Sequence, residues 1–299
     1  MTSTLFHPWQ SYTCAYDRHL PPNGDPQGPP IVLVHPIGVG LSRQFWHRFI
    51  TAWYDHGHRN AIYNPDLLGC GESSMPRAAY TPADWARQLQ TLVDTVIQEP
   101  VIVIIQGALA PVGLEWVAQA PDQVRAMVLS GPPAWRLMTS PTKPSRQKLA
   151  WNLFDTPLGN GFYRYARREA FLRSFSERQL FGTAADVDQD WLDCLHRGSR
   201  QMASRHAVFA FLAGFWRQDY GDAIAAVPCP TLVIFGETAS SVTRGYVESA
   251  DQRLEAYLHH LPQGQGRKIP GRNVLPYEAT QTFTEVVGEF LQSIHVKVL

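Results

Sequence analysis

Unbroken apolar runs alternate along the chain with amphipathic stretches. Ile31–His35 (IVLVH), Val101–Ile105 (VIVII), Ala126–Ser130 (AMVLS) and Thr231–Phe235 (TLVIF) are short and rich in β-branched residues. Such runs suit strands buried on both faces of a parallel sheet. Between them, Gln44–Tyr54 sets Phe45, Trp46, Phe49, Ile50 and Trp53 on one helical face. Thr81–Ile97 does the same with Trp85, Leu89, Leu92, Val93 and Val96, after a Thr-Pro start signal. A strand over 10–20, a short one around Ala61–Tyr63, a further one near Arg267–Ile269 and a closing helix over Thr280–Ile294 complete the alternation. Strands and helices at this spacing predict an α/β fold: a mostly parallel sheet flanked by helices. From Pro132 to Val227 the strand rhythm stops and only helical and loop patterning remains. The expected layout is a core of 1–131 and 228–299, with 132–227 inserted as a helical cap between strands six and seven.

The stretch Val101–Pro111 (VIVIIQGALAP) is the centre of this arrangement. A buried strand running through small residues straight into a helix is the setting of the nucleophile elbow, G-x-S-x-G. Laid on that pattern, Gly107 takes the serine's place and Gln106 the place before it. The local backbone pattern is present, but the nucleophilic side chain is not.

Charge and composition narrow the classes. Twenty-six Lys and Arg against 26 Asp and Glu give no net field, so bulk charge argues neither for nor against nucleic acid or an anionic membrane; no nucleic-acid partner is expected. The four cysteines, Cys14, Cys70, Cys194 and Cys229, form no C-x-x-C pair. They read as free thiols of a reducing compartment, so a cytoplasmic location is expected, with a peripheral membrane contact as its variant. No stretch approaches the roughly 20 apolar residues a spanning helix needs, and the N-terminal residues lack the pattern of a signal peptide, so a soluble chain is expected. The 11 histidines make no H-x-x-x-H or H-E-x-x-H spacing, and Gly69 and Gly71 sit in no Walker or dinucleotide pattern. Neither a metal nor a cofactor is expected.

Five segments in order resemble the α/β-hydrolase fold over roughly 30–295: HPIGVG (an H-G-x-G oxyanion loop with Pro36 for its first Gly), PDLLGCGES (D-x-x-G-x-G-x-S), VRAMVLSGPP, PCPTLVIFG and IPGRNVLPYEA. The resemblance implies a Ser-His-acid triad at known places. The serine place is Gly107, and the acid place after TLVIFG is Ala239, with Glu237 two residues early. The histidine place is Asn273 counted from Glu278, or Val274 counted from Pro276. The chain therefore reads as a triad-less member, with these four positions vestigial and none catalytic.

The resemblance also implies which residues face a ligand. Ile37 and Ala108 are where the oxyanion-loop amides would converge, with His35 beside the loop and Gln106 beside the missing nucleophile. His35 reads either as a brace of that loop or as a polar contact; Gln106 either braces the turn or binds a ligand. Ser130, Ser240, Ser241 and Cys70 read as ordinary loop or strand-end residues rather than displaced nucleophiles, and Asp66 as a turn-holding acid. In the cap, His206–Trp216 (HAVFAFLAGFW) carries Phe211 and Phe215 among an apolar run, and Phe162–Phe175 (FYRYARREAFLRSF) interleaves aromatics with Arg164, Arg167, Arg168 and Arg173. These aromatics either fill the lid or line a cavity for an apolar small molecule under the cap. The Arg-rich segment, read as one helix, would meet a protein partner or an anionic surface. The leading function is a non-catalytic binder of a hydrophobic ligand or a protein partner. The alternative is a hydrolase, or a cofactor-free lyase or oxygenase, with an unconventional residue set.

Overall fold

The computed structural model describes residues 3–240 and 248–295. Eight strands form one sheet: β1 (Leu5–Trp9), β2 (Tyr12–His19), β3 (Ile31–Val34), β4 (Ile62–Pro65), β5 (Val101–Gln106), β6 (Val124–Ser130), β7 (Thr231–Gly236) and β8 (Gly264–Ile269). Their order is β1-β2-β4-β3-β5-β6-β7-β8. The β1–β2 and β2–β4 pairs are antiparallel, and all others are parallel. β5 is central, paired with β3 and β6, and all six of its residues are buried. That is why its sequence shows no alternation: Ile102 and Ile104 enter one core and Val101, Val103 and Ile105 the other.

The helices divide between the two faces. α1 (His47–Asp55) and the last helix, Thr280–His295, cover one face through Phe49, Trp53, Phe283 and Val287. α2 (Pro82–Leu92) and α3 (Ala110–Gln119) cover the other through Trp85, Leu89, Val112 and Trp116. α2 starts as its sequence signals, with a Thr81–Asp84 capping box and Pro82 in the first turn.

Between β6 and β7 the chain makes no strand. It passes through α4 (Trp135–Met138), α5 (Pro144–Phe154), α6 (Pro157–Ala166), α7 (Glu169–Phe175), α8 (Gln189–Gly198), α9 (Arg205–Leu212) and α10 (Gly221–Ala225). The Arg-rich segment 162–175 is therefore two helices, α6 and α7, and not one. Arg167 and Arg168 are where the first ends and the second begins.

Three further elements depart from the sequence expectation. β1 forms a hairpin with β2 whose turn residue Gln10 has φ 52°, a left-handed conformation that lacked its usual Gly or Asn signal. α11 (Ala250–His260) went unanticipated, and His259 and His260 close its last turn. β8 begins three residues earlier than expected. At Gly266 the strand passes close under α11: a Cβ there would come within 2.8 Å of the Leu254 and Leu258 side-chain ends, which would have to shift. No helix among the described residues is long and apolar enough to cross a membrane.

Candidate functional site

β5 delivers Gln106 and Gly107 to the C-terminal edge of the sheet, where an open α/β sheet places its ligands. Gln106 is still extended (φ −99°, ψ 126°), Gly107 turns to φ 68°, and a short 3-10 turn leads into α3. The elbow geometry of the sequence expectation is thus present. A Cβ built on Gly107 would have nothing within 4 Å. The glycine answers the left-handed backbone, not a shortage of room.

That empty space belongs to a cavity of about 340 Å³. Its floor is Ile37, Gln106, Gly107 and Ala108 from the sheet side, with Phe235, Ser240, Asn273 and Val274 beside them. The helical insertion supplies the roof: Leu137, Phe162, Phe171, Phe175, Phe211 and Leu212. The volume lies at the lower end of small-molecule sites, and the lining is predominantly apolar, as such sites are.

The polar groups on the floor form an amide web. Gln106 Nε2 donates to the Asn273 carbonyl at 2.7 Å. The Asn273 side-chain amide donates to the carbonyls of Gln179 (2.7 Å) and Ser240 (3.1 Å), and its backbone N–H donates to Leu180 O (3.0 Å). Asn273 therefore ties the loop after β8 to the helical insertion and to the loop after β7. Nothing in this web titrates near neutrality. Gln106 Oε1 is buried and accepts no hydrogen bond among the described residues, leaving one acceptor at the cavity floor.

Two residues expected at a ligand do not reach it. His35 is wholly buried and absent from the cavity wall. Its Nδ1–H donates to the Pro36 carbonyl at 2.8 Å, and its Nε2 accepts from the Leu67 N–H at 3.1 Å. A carbonyl only accepts and an amide N–H only donates, so this pairing fixes one neutral tautomer. Burial pushes its pKa below the ordinary histidine value, and the nearby Asp66 charge opposes that only in part. His35 braces the loop. Phe215 likewise points elsewhere, meeting Trp151 edge-on at 6.1 Å. Its neighbour Phe211 does line the cavity, stacked on Trp216 at 5.4 Å.

The displaced-nucleophile candidates separate in the same way. Ser130 is wholly buried and Cys70 nearly so, and neither lines the cavity. Burial, aided by the Asp66 charge, pushes the Cys70 thiol well above its usual range, which suppresses thiolate. Ser240 lines the cavity, whereas Ser241 lies outside the described residues. Glu237 is exposed and off the cavity wall, and Ala239 packs partly buried against the core. Asp66 holds its turn, accepting from the Arg43 and Glu72 N–H groups at 2.8 Å each and pairing with the Arg43 guanidinium.

Sequence reasoning missed Arg253, a buried guanidinium on the cavity wall whose pKa burial lowers, with Glu248 opposing. It sits on α11, and the signal was legible there: Ser249 and Gln252 make a capping box ahead of it.

A sequence profile of the Alpha/beta hydrolase family matches residues 31–286. A haloalkane dehalogenase of Agrobacterium fabrum is 32% identical over 105 residues, covering 35% of this chain and 33% of that protein. An uncharacterised protein of Mycobacterium tuberculosis is 29% identical over 102 residues, covering 34% and 28%. The match thus spans about a third of the length of these curated relatives. Among solved structures, an esterase from Thermogutta terrifontis superimposes with a TM-score of 0.73 at 18% identity, covering 99% of each chain. An enol-lactonase from Burkholderia xenovorans does so with a TM-score of 0.74 at 15% identity, covering 96% of this chain and all of the other. At such identities the superpositions speak to the fold alone.

Proposed function

The chain belongs to the Alpha/beta hydrolase family, and from that premise we propose that it binds an apolar small molecule without performing the family's serine chemistry. On this reading, residues 132–227 are a helical cap on a core of 1–131 and 228–299, and the cavity between them is the binding site. One observation carries the proposal: the elbow ends in Gly107, and the polar side chains on the floor around it are the amides of Gln106 and Asn273 and the Ser240 hydroxyl, none of them a base. Acyl or halide displacement through a side chain needs a nucleophile there and, for serine, a base to activate it. Glycine offers no reacting atom, and an amide takes no proton near neutral pH. Apolar walls favour a guest with little polar surface, because few polar groups then lose water on binding. The unpartnered Gln106 Oε1 adds one preference, a hydroxyl or N–H on the guest's inner end.

The test is a fluorophosphonate label combined with a screen of short acyl esters. The expected result is no labelled serine and no turnover above the uncatalysed rate. A stoichiometric adduct on any serine, Ser240 first among them, overturns the proposal.

A further inference from the structure

Six of the large apolar side chains left exposed lie on the helical insertion: Leu149, Leu153, Leu158, Phe162, Tyr165 and Leu212. Their spacing is not scattered. Leu149 and Leu153 are one turn apart on α5; Leu158, Phe162 and Tyr165 follow at i, i+4 and i+7 on α6. α5 packs against both α6 and α9, which brings these rows together, with Phe154 of α5 near Phe162 and stacked on Phe209 of α9. α5 buries none of its own residues. Leu149 is 72% and Leu158 74% exposed, a degree that side chains packed into a domain core do not show.

Charge distinguishes this face from the rest of the surface. The chain is neutral overall, yet residues 136–168 carry seven Lys and Arg against one acid, Asp155. That acid is already matched by Arg77, whose Nε reaches its carboxylate at 2.9 and 3.0 Å. Arg146, Lys148, Arg164 and Arg168 are exposed among or beside the apolar rows. Exposed Leu, Phe and Tyr interleaved with unopposed cations are what a peripheral helix presents to a bilayer interface. We propose that the α5–α6–α9 face docks on an anionic lipid surface, with its leucines and Phe162 in the headgroup–acyl boundary and its Arg and Lys among the lipid phosphates. Phe162 and Leu212 belong both to this face and to the cavity wall, so the cavity mouth opens toward the bilayer. The docking itself does not depend on what fills the cavity.

Vesicle flotation tests the proposal with the full chain. Vesicles of phosphatidylcholine are compared with vesicles containing roughly one-third phosphatidylglycerol, whose negative surface attracts basic segments. The chain is expected to float with the anionic vesicles, to stay behind with the neutral ones, and to be released by high salt. Each basic residue near such a surface is worth on the order of fivefold in partitioning, so R146E/R164E should lower it by at least tenfold. L149D/L153D should weaken it comparably, while L20D, an exposed leucine outside the insertion, should leave it unchanged. All these sites are exposed, so unchanged thermal melting of each variant is the accompanying control. Absence of flotation with anionic vesicles overturns the proposal. So does equal flotation of R146E/R164E and the native chain. A self-association that L149D/L153D abolishes, without any vesicle binding, assigns the face to a second copy and overturns it as well.

Discussion

Replacing Gly107 by serine separates what the elbow's backbone costs from what its surroundings cost. A Cβ at Gly107 meets nothing within 4 Å, so the substitution introduces no overlap. The remaining cost is conformational, because φ 68° crowds the Cβ of an L-residue against its own carbonyl by about 1–2 kcal/mol. For a chain of 299 residues, an unfolding entropy of about 2.1 cal/mol/K per residue turns that into a loss of roughly 2–3 °C in Tm. Gly107→Ala should cost the same, since the hydroxyl adds only a group facing the cavity. Gly71→Ala is the contrast. Its φ is also positive, at 55°, but its Cβ would fall about 2 Å from the Asp66 carboxylate and displace it from Arg43. Its loss should be at least twice as large. Differential scanning calorimetry of the three variants decides the matter, with p-nitrophenyl butyrate hydrolysis as the second readout. Gly107→Ser should hydrolyse no ester, since the floor residues Gln106, Asn273 and Ser240 supply no base and a bare serine hydroxyl is a weak nucleophile. A Gly107→Ser loss as large as that of Gly71→Ala would refute the open floor. Turnover by the single variant would show a working base and refute the account of the site.

Four histidines besides His35 have pKa values depressed mainly by burial, namely His7, His19, His58 and His206. Below about 6.5 the unfolded chain takes up protons that the folded one refuses, so stability should fall with pH there by up to about 1.4 kcal/mol per pH unit per histidine; a urea midpoint that stays flat or rises from pH 7 to pH 5.5 would contradict this. His35→Ala leaves the buried Leu67 N–H without its acceptor, an expected loss of about 1–3 kcal/mol by urea unfolding, and it should leave ligand affinity unchanged, because His35 is off the cavity wall. Arg43→Met strands the buried carboxylates of Asp17 (2.9 Å from Nε) and Asp66, and should cost about 3–5 kcal/mol in the same assay.

How legible the molecule was in its sequence depended on whether a residue's role was local. The four buried strand runs and the faces of α1 and α2 could be read because burial writes itself as composition and period. The elbow could be read because Gln106–Gly107–Ala108 follows an all-apolar strand. β1 was missed because Gln10 turns a hairpin without glycine; α11 carries a start signal in its Ser249–Gln252 capping box, but its mix of charged residues with few apolar ones writes no clear helical period after it. Side-chain direction was the least legible. His35 and Phe215 stand beside true cavity residues in sequence, yet His35 bonds Pro36 and Leu67, and Phe215 packs on Trp151. Asn273 was named as a vacated histidine place. Its part in joining the loops after β7 and β8 to the helical insertion rests on backbone carbonyls from residues 179 and 240, distant in sequence and invisible to any motif.

The central claim is that the cavity above Gly107 holds an apolar guest and leaves it unchanged. Native mass spectrometry and calorimetric titration with a long-chain alcohol such as dodecanol test it most directly, on the native chain and on Phe211→Asp. Apolar contacts worth about 2 kcal/mol for each buried aromatic ring or equivalent should sum, after association costs, to micromolar affinity. The account predicts one alcohol bound per chain, recovered intact, with affinity lost in Phe211→Asp, whose carboxylate would be set in the apolar wall. No saturable binding by the native chain, or equal binding by the variant, would contradict it.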